Sequence, residues 1–274
     1  MMGKYYTRII LLLCLLFATN AYAVSPVIRM SGGGGGGGGV NYLEDANCAG
    51  AWYMNADGST GETDRCVGGS EDLTVSASDT IPTSATVPSG YAGTSRDFEK
   101  NEADFLYHAA NGATDIYGAE QGLTFCAWFK MESNGIYEII ANGTGGGEGY
   151  MVRTNTILEA WIRNNADDDG VAAYGATNIT SGWHHTCVVH DPVGNEIIIY
   201  VDGSEDSNGA SNPVSFSGGL DNSDEAFTVG AYPGAGSPFD GLIDEVIVLD
   251  RVLTAEEVSN IYTNGIDGNG GVND

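Results

Sequence analysis

The chain is dominated by short apolar runs, each bounded by glycine, asparagine, aspartate or proline, and this pattern leaves little room for anything but β-structure. The clearest runs are Leu123 to Met131, Tyr137 to Ile140, Tyr150 to Arg153, Ile157 to Arg163, Trp183 to His190, Glu196 to Val201, Phe227 to Val229 and Leu242 to Leu249. Their spacing is that of a sandwich or barrel. Several are apolar at consecutive positions, as inner strands covered on both faces must be. Asp191-Pro192-Val193-Gly194-Asn195 joins two of them as a hairpin, with proline fixing φ and Gly-Asn tolerating positive φ. One helix is expected near the C-terminus. There Thr254 and Glu257 form a capping box, Val258, Ile261 and Tyr262 make one apolar stripe, and Gly265 stands at C′.

The first residues carry a different signal. Lys4 and Arg8 precede an apolar run from Ile9 to Ala18, and Ala21-Tyr22-Ala23 supplies small residues for cleavage. Residues 1–23 therefore read as a signal peptide, and the protein as exported to an extracellular or periplasmic space without membrane insertion after cleavage. Residues 24–39 read as a glycine-rich linker, 40–265 as one folded domain and 266–274 as a flexible tail. Net charge is −27 for the whole chain, and removing residues 1–23 leaves 8 basic against 37 acidic residues, or −29. Such a chain repels nucleic acid and anionic lipid, which excludes nucleic-acid partners and leaves solubility and cation binding as uses for the charge.

Export makes disulfides the default for Cys48, Cys66, Cys126 and Cys187. Four cysteines allow three pairings. The pattern favours Cys48 with Cys66, which are local, and Cys126 with Cys187, each mid-strand; the latter bridge is expected to clamp the two sheets together. Zinc is disfavoured, because no C-x-x-C pair is present and the histidines do not frame the cysteines.

Phe239-Asp240-Gly241-Leu242-Ile243-Asp244-Glu245-Val246-Ile247-Val248, followed by Arg251-Val252-Leu253-Thr254 and the helix, resembles the C-terminal signature of laminin G-like, concanavalin A-like lectin domains. Leu123 to Lys130, Trp183 to Val189 and Ile197 to Gly203 follow in the order this family uses, and the opening segments around Trp52, Gly61 to Asp64 and Asp97 to Leu106 resemble it more weakly. The resemblance spans about residues 48 to 264 and extends to pentraxins, whose disulfide joins strands matching those of Cys126 and Cys187. It implies an all-β fold, a two-sheet antiparallel jelly-roll sandwich with one short C-terminal helix. It also implies a binding module for glycans or extracellular proteins, often with a rim calcium. The pentraxin double-calcium loop is not carried over, since Ala231 to Pro238 lacks its carboxylates.

For a single Ca2+ the candidate ligands are Asp244, at a strand position often acidic in the family, with Asp104 and Asp64; hydrogen bonding to loop amides is the alternative for Asp244. Asn165-x-Asp167-x-Asp169-Gly170 mimics the start of an EF-hand loop but reads as a turn, since no helices flank it. Glucanases of the superfamily carry an E-x-D-x-x-E strand. Here Glu62-Thr63-Asp64 is followed by Val67, and Glu102-Ala103-Asp104 by Tyr107, so neither triplet completes it. The histidines form no catalytic motif, and the expectation is a protein that is not an enzyme. Sugar binding needs aromatic faces near loops; Trp161, Tyr174 and Tyr232 qualify, whereas Trp128 and Trp183 belong to apolar strands. The leading expectation is thus a secreted module that recognises carbohydrate or an extracellular polymer with calcium. Its rivals are a divergent glycoside hydrolase or lyase and a structural or adhesion protein that binds other proteins.

Overall fold

The computed structural model describes residues 39–76, 80–109, 122–143, 149–163, 170–216, 220, 226–234 and 236–270. The expected signal peptide, most of the linker and residues 164–169 of the EF-hand-like turn lie outside the described residues. No described helix is long and apolar enough to cross a membrane.

In chain order the described strands are β1 (Cys48–Trp52), β2 (Thr74–Val75), β3 (Thr83–Ser84), β4 (Ser95–Phe98), β5 (Leu106–His108), β6 (Leu123–Met131), β7 (Tyr137–Asn142), β8 (Gly149–Thr154), β9 (Leu158–Arg163), β10 (Gly170–Tyr174), β11 (His184–Asp191), β12 (Glu196–Val201), β13 (Ser204–Glu205), β14 (Val214–Ser215), β15 (Phe227–Val229) and β16 (Gly241–Leu249). A single α-helix, α1 (Ala255–Asn264), follows. The first sheet has nine strands in the order β13-β12-β11-β6-β16-β4-β3, with β1 also on β16 and β14 also on β12. The second has seven, ordered β10-β9-β8-β7-β15-β5-β2. All pairings are antiparallel, as the turn-bounded runs implied.

Alternation along β6 explains the layering. Leu123, Phe125, Ala127 and Phe129 face the second sheet and join the main core with Tyr150, Val152, Ile162, Phe227 and Val229. Cys126 points the other way, into a smaller core with Val189, Tyr200, Ile247 and the helix residues Val258 and Ile261. The nine-stranded sheet is therefore covered on both faces, which is why its central strands read as continuous apolar runs.

The same alternation corrects one expectation. Cys126 and Cys187 are bonded, and so are Cys48 and Cys66. However, Cys126 and Cys187 stand directly opposite each other on neighbouring strands of one sheet, β6 and β11. Their bridge lies under the helix and cross-links two strands of one layer; burial between the layers, not sulfur, holds the sheets together.

The helix is built as expected. Thr254 Oγ1 accepts from the Glu257 amide while the Glu257 carboxylate accepts from the Thr254 amide, and Gly265 closes the helix at φ 73°. Tyr262 stacks on Trp128 with ring centroids 5.3 Å apart. Beyond it, composition suggested a fraying tail, but Ile266 and Asp267 are buried. The Ile266 carbonyl accepts from the Tyr42 amide and the Gly268 carbonyl from the Gly39 amide, so the two ends of the domain pin each other.

The opening segments are organised by a buried ion pair. Arg96 Nε donates to Glu62 Oε1 at 2.6 Å, with both side chains almost fully inaccessible. The guanidinium also donates to the carbonyls of Ile81, Gly58 and Thr60, and the Glu62 carboxylate accepts from the amides of Asn55 and Ala56. One pair thereby gathers three irregular stretches that have little apolar surface of their own. Arg96→Met leaves the Glu62 carboxylate buried without its cation, and denaturant titration should show a loss of about 3–5 kcal/mol.

Candidate ligand-binding face

Among the described residues no helix covers the seven-stranded sheet. Its inner face supplies the core, so its alternate residues form an outer face that the pairing register specifies directly. One row across this face runs Thr74, Tyr107, Thr228, Ala141, Met151, Trp161, Ala172. A neighbouring row runs Glu138, Arg153, Glu159, Tyr174.

Trp161 is half-buried, and the guanidinium groups of Arg153 and Arg163 lie 5.6 Å and 5.7 Å from its ring centre. Its indole N–H has no hydrogen-bond partner. Arg153 is fixed by Glu159, whose Oε2 accepts from Nε at 2.9 Å and from Nη2 at 2.7 Å, while Glu159 Oε1 accepts from Asn155 Nδ2. The turn between β8 and β9 makes this possible, because it places Arg153 directly opposite Glu159.

Tyr232 reaches the same region from the loop after β15. That loop folds back over the sheet, with Thr228 Oγ1 donating to the Ala231 carbonyl at 2.6 Å and the Tyr232 amide to the Gly236 carbonyl at 2.8 Å. The Tyr232 hydroxyl then sits 2.8 Å from Met151 Sδ. Glu138 lies inaccessible beside it. Burial pushes its carboxyl up to about 8, although Arg153 and Tyr232 favour the charged form. Burial also raises the Tyr232 hydroxyl, with the nearby Glu138 adding to the effect.

The structure thus places all three sequence-derived binding candidates on one face, with Trp161 and Tyr174 on adjacent strands and Tyr232 above Met151. Sequence reasoning missed Glu138, Arg153, Glu159 and Arg163. The available signal was their presence at alternate positions in otherwise apolar runs, which marks an outward face built for polar contacts. Trp128 takes the buried place expected of it, and Trp183 is half-buried. The histidines make no shared site: His184 pairs with Asp202, while His185 is buried and its imidazole pushed down to about 3 by desolvation.

The three expected calcium ligands are each engaged by backbone amides. Asp64 spends its carboxylate on the amides of Ala51, Cys66 and Glu71. Asp104 Oδ2 accepts from the Glu99 amide, and Asp244 Oδ1 from the Glu245 amide at an irregularity in β16. Among the described residues these three do not form a ligating group. A different trio does bring its carboxylates within 4.8 Å of one another: Asp97, Glu99 and Glu132. Burial, then repulsion from Glu132 and Glu99, raises the Asp97 carboxyl above its ordinary value.

A family model, Laminin_G_3, described as the concanavalin A-like lectin/glucanases superfamily, matches residues 107–259. No curated protein matches the sequence significantly. Among solved structures, the binding domain of Paraclostridial Mosquitocidal Protein 1 is similar at TM-score 0.60 and 12% identity, covering 79% of this chain and 52% of that one. Domain 4 of AbnA, an extracellular GH43 arabinanase from Geobacillus stearothermophilus solved with arabinotriose, is similar at TM-score 0.55 and 18% identity, covering 80% and 100%. The binding domain of botulinum neurotoxin DC, in complex with rat synaptotagmin II, is similar at TM-score 0.55 and 10% identity, covering 80% and 52%. The chain spans about half the length of the toxin binding domains it resembles. At these identities the likeness establishes the jelly-roll sandwich fold.

Two measurements test the electrostatics. The folded chain holds a proton on Glu138 between pH 4.5 and about 8 that the unfolded chain has released, so this group costs stability as pH rises through that window. Glu138→Gln should therefore raise the melting temperature relative to the parent, with a gain that grows from pH 4.5 to about 8 and then levels off. Added calcium should also raise the melting temperature by relieving repulsion within the Asp97, Glu99 and Glu132 trio, and Glu132→Gln should blunt that response. Melting unaffected by calcium and by chelator would remove a bound cation from the picture.

Proposed function

Because this chain belongs to the concanavalin A-like lectin/glucanases superfamily, we propose that it is an exported, non-catalytic module that binds carbohydrate on the outer face of its seven-stranded sheet. The observation that carries this reading is Trp161, half-buried on the outer face with two guanidinium groups 5.6 Å and 5.7 Å from its ring centre and Tyr174 and Tyr232 on the same face. Aromatic faces take the apolar side of a sugar ring, and fixed amide and charged groups take its hydroxyls. AbnA domain 4, which spans a whole jelly roll of this kind and was solved with arabinotriose, supports a sugar over other polymers. A protein partner has less support here. The large apolar side chains exposed among the described residues are Val67, Ile136 and Val193, on three separate loops, which makes no broad apolar patch. Calcium enters the proposal only as a brace. The Asp97, Glu99 and Glu132 trio belongs to β4 and the end of β6 in the other sheet, away from Trp161.

One observation favours a second reading, a glycoside hydrolase or lyase. Glu138 and Glu159 both neighbour Arg153, and they differ in environment: Glu138 is held protonated near neutrality by burial, and Glu159 is tied to the guanidinium. Contrasting carboxyls are what acid and base catalysis require. The full burial of Glu138 beside Tyr232 puts binding ahead of it.

A glycan array with the full chain tests both. Retention of a glycan should weaken roughly thirtyfold in Trp161→Ala, the loss of about 2 kcal/mol expected at an aromatic anchor, with the melting temperature little changed. Absence of any retained glycan would remove the carbohydrate reading. Release of reducing sugar from a retained glycan, abolished by Glu138→Gln, would replace it with the hydrolase.

A further inference from the structure

The row that carries Trp161 continues across the sheet to Tyr107, and a second feature lies there. A cleft of about 290 Å³ is lined by Ser76, Phe105, Tyr107, Ala226, Thr228, Pro233 and Gly234. Phe105, just before β5, and Tyr107 within it have ring centroids 5.9 Å apart, and both are half-buried. Ser76 is 7% exposed, and its Oγ has no hydrogen-bond partner. A buried hydroxyl left unpaired is uncommon, and it is satisfied when a ligand brings a donor or acceptor. None of the described lining residues of the cleft is charged, in a chain whose net charge is −27.

We propose that the cleft between Phe105, Tyr107 and Pro233 is a second subsite on this face, taking one uncharged sugar ring of the same glycan chain that rests on Trp161. The claim rests on the carbohydrate reading above and adds to it the form of the ligand. Three observations carry it. The cleft is large enough to take a sugar ring, at the lower end of the roughly 300–1,000 Å³ of small-ligand sites. Its chemistry is two aromatic walls and a hydroxyl without charge, which suits a neutral ring with one apolar face. Its position is in register with the first site: Tyr107, Thr228, Ala141, Met151 and Trp161 are successive cross-strand partners. Four strand spacings separate the two aromatics, about 19 Å. The row between them is covered, with Thr228 and Ala141 inaccessible and Met151 6% exposed, so a ligand touching both is an extended oligosaccharide that passes over the loop after β15, and a terminal sugar cannot reach both. The loop after β15 stands between them and serves both sides, with Tyr232 turned to Met151 and Pro233 and Gly234 lining the cleft. Two weak contacts on one chain reinforce each other, because the second forms at the high effective concentration set by the first.

The test uses the full chain, isotopically labelled for amide NMR, and a length series of neutral arabino- and gluco-oligosaccharides from the monosaccharide upward. With the longer members, shifts are expected both at residues 105–107 and 226–234 and around Trp161, and affinity should rise with length. Tyr107→Ala should weaken the long oligosaccharides about tenfold and leave the short ones unchanged. Ser76→Ala, which removes an unpaired buried hydroxyl and so does not threaten folding, should weaken the long members alone. Shifts confined to Trp161, Tyr174 and Tyr232 with affinity independent of length would overturn the second subsite and keep the first. Shifts confined to the cleft would overturn the joint site and the Trp161 reading together. No shift with any member of the series would overturn both proposals.

Discussion

Side-chain alternation in the seven-stranded sheet is the constraint on which the functional face depends. A strand turns every second residue to the opposite side, so once Tyr150, Val152, Ala160 and Ile162 are committed to the core, Met151, Arg153, Glu159 and Trp161 must point outward. A one-residue slip of β9 against its neighbours would bury Glu159 and Trp161 and expose Ala160 and Ile162. The register is therefore protected by the whole hydrophobic core, and the face inherits that rigidity. A site built on strands in this way needs no flexible loop to position its aromatic anchor; the one loop that contributes, carrying Tyr232, is itself tied down by Thr228 and Gly236.

The two sheets divide the labour. In the nine-stranded sheet both faces are packed, one against its partner and one against α1, Tyr42 and the Cys126–Cys187 bridge. That sheet carries the longest strands, β6 and β16, and the covalent link between β6 and β11. With stability concentrated there, the outer face of the other sheet is free to hold groups that cost stability. Glu138 is such a group: a carboxyl buried so fully that its proton is retained near neutrality adds nothing to the fold. Its place beside Tyr232 and Arg153 makes sense as part of the polar layer beneath a ligand.

Much of this was legible beforehand, and the limits have physical causes. β6, β12 and β15 stand at the bounds that the apolar runs marked, because a buried strand needs apolar residues at consecutive positions. The capping box located α1 through the two side-chain bonds it still makes. β10, Gly170–Tyr174, escaped notice because an edge strand is half-solvated and tolerates small residues such as Ala172 and Ala173. The opening segments were equally opaque, since Arg96 and Glu62 are joined across 34 positions and no local pattern announces such a pair. Tyr232, Trp161 and Tyr174 were found as aromatics near loops; that they share a face follows only from the register. Asp64, Asp104 and Asp244 show the reverse. Carboxylates in turn-rich segments suggest metal, but backbone amides compete for the same oxygens, and at Asp64 three of them are the partners.

Charge gives the last constraint on the ligand. The chain has 10 basic residues against 37 acidic ones, and two of its arginines, Arg153 and Arg163, lie 5.6 Å and 5.7 Å from the Trp161 ring centre. An anionic polymer approaching the molecule meets repulsion over most of its surface, screened beyond about 10 Å at moderate salt. At the face itself Arg153 is already neutralised by Glu159, so its role is to stack on the indole and hold it in place more than to attract charge. A neutral chain of hydroxylated rings meets neither difficulty. As the ligand proposed above, it would cross the acidic field without cost, rest on the indole that the guanidinium groups hold, and meet in the cleft beside Tyr107 a surface that asks for no counterion.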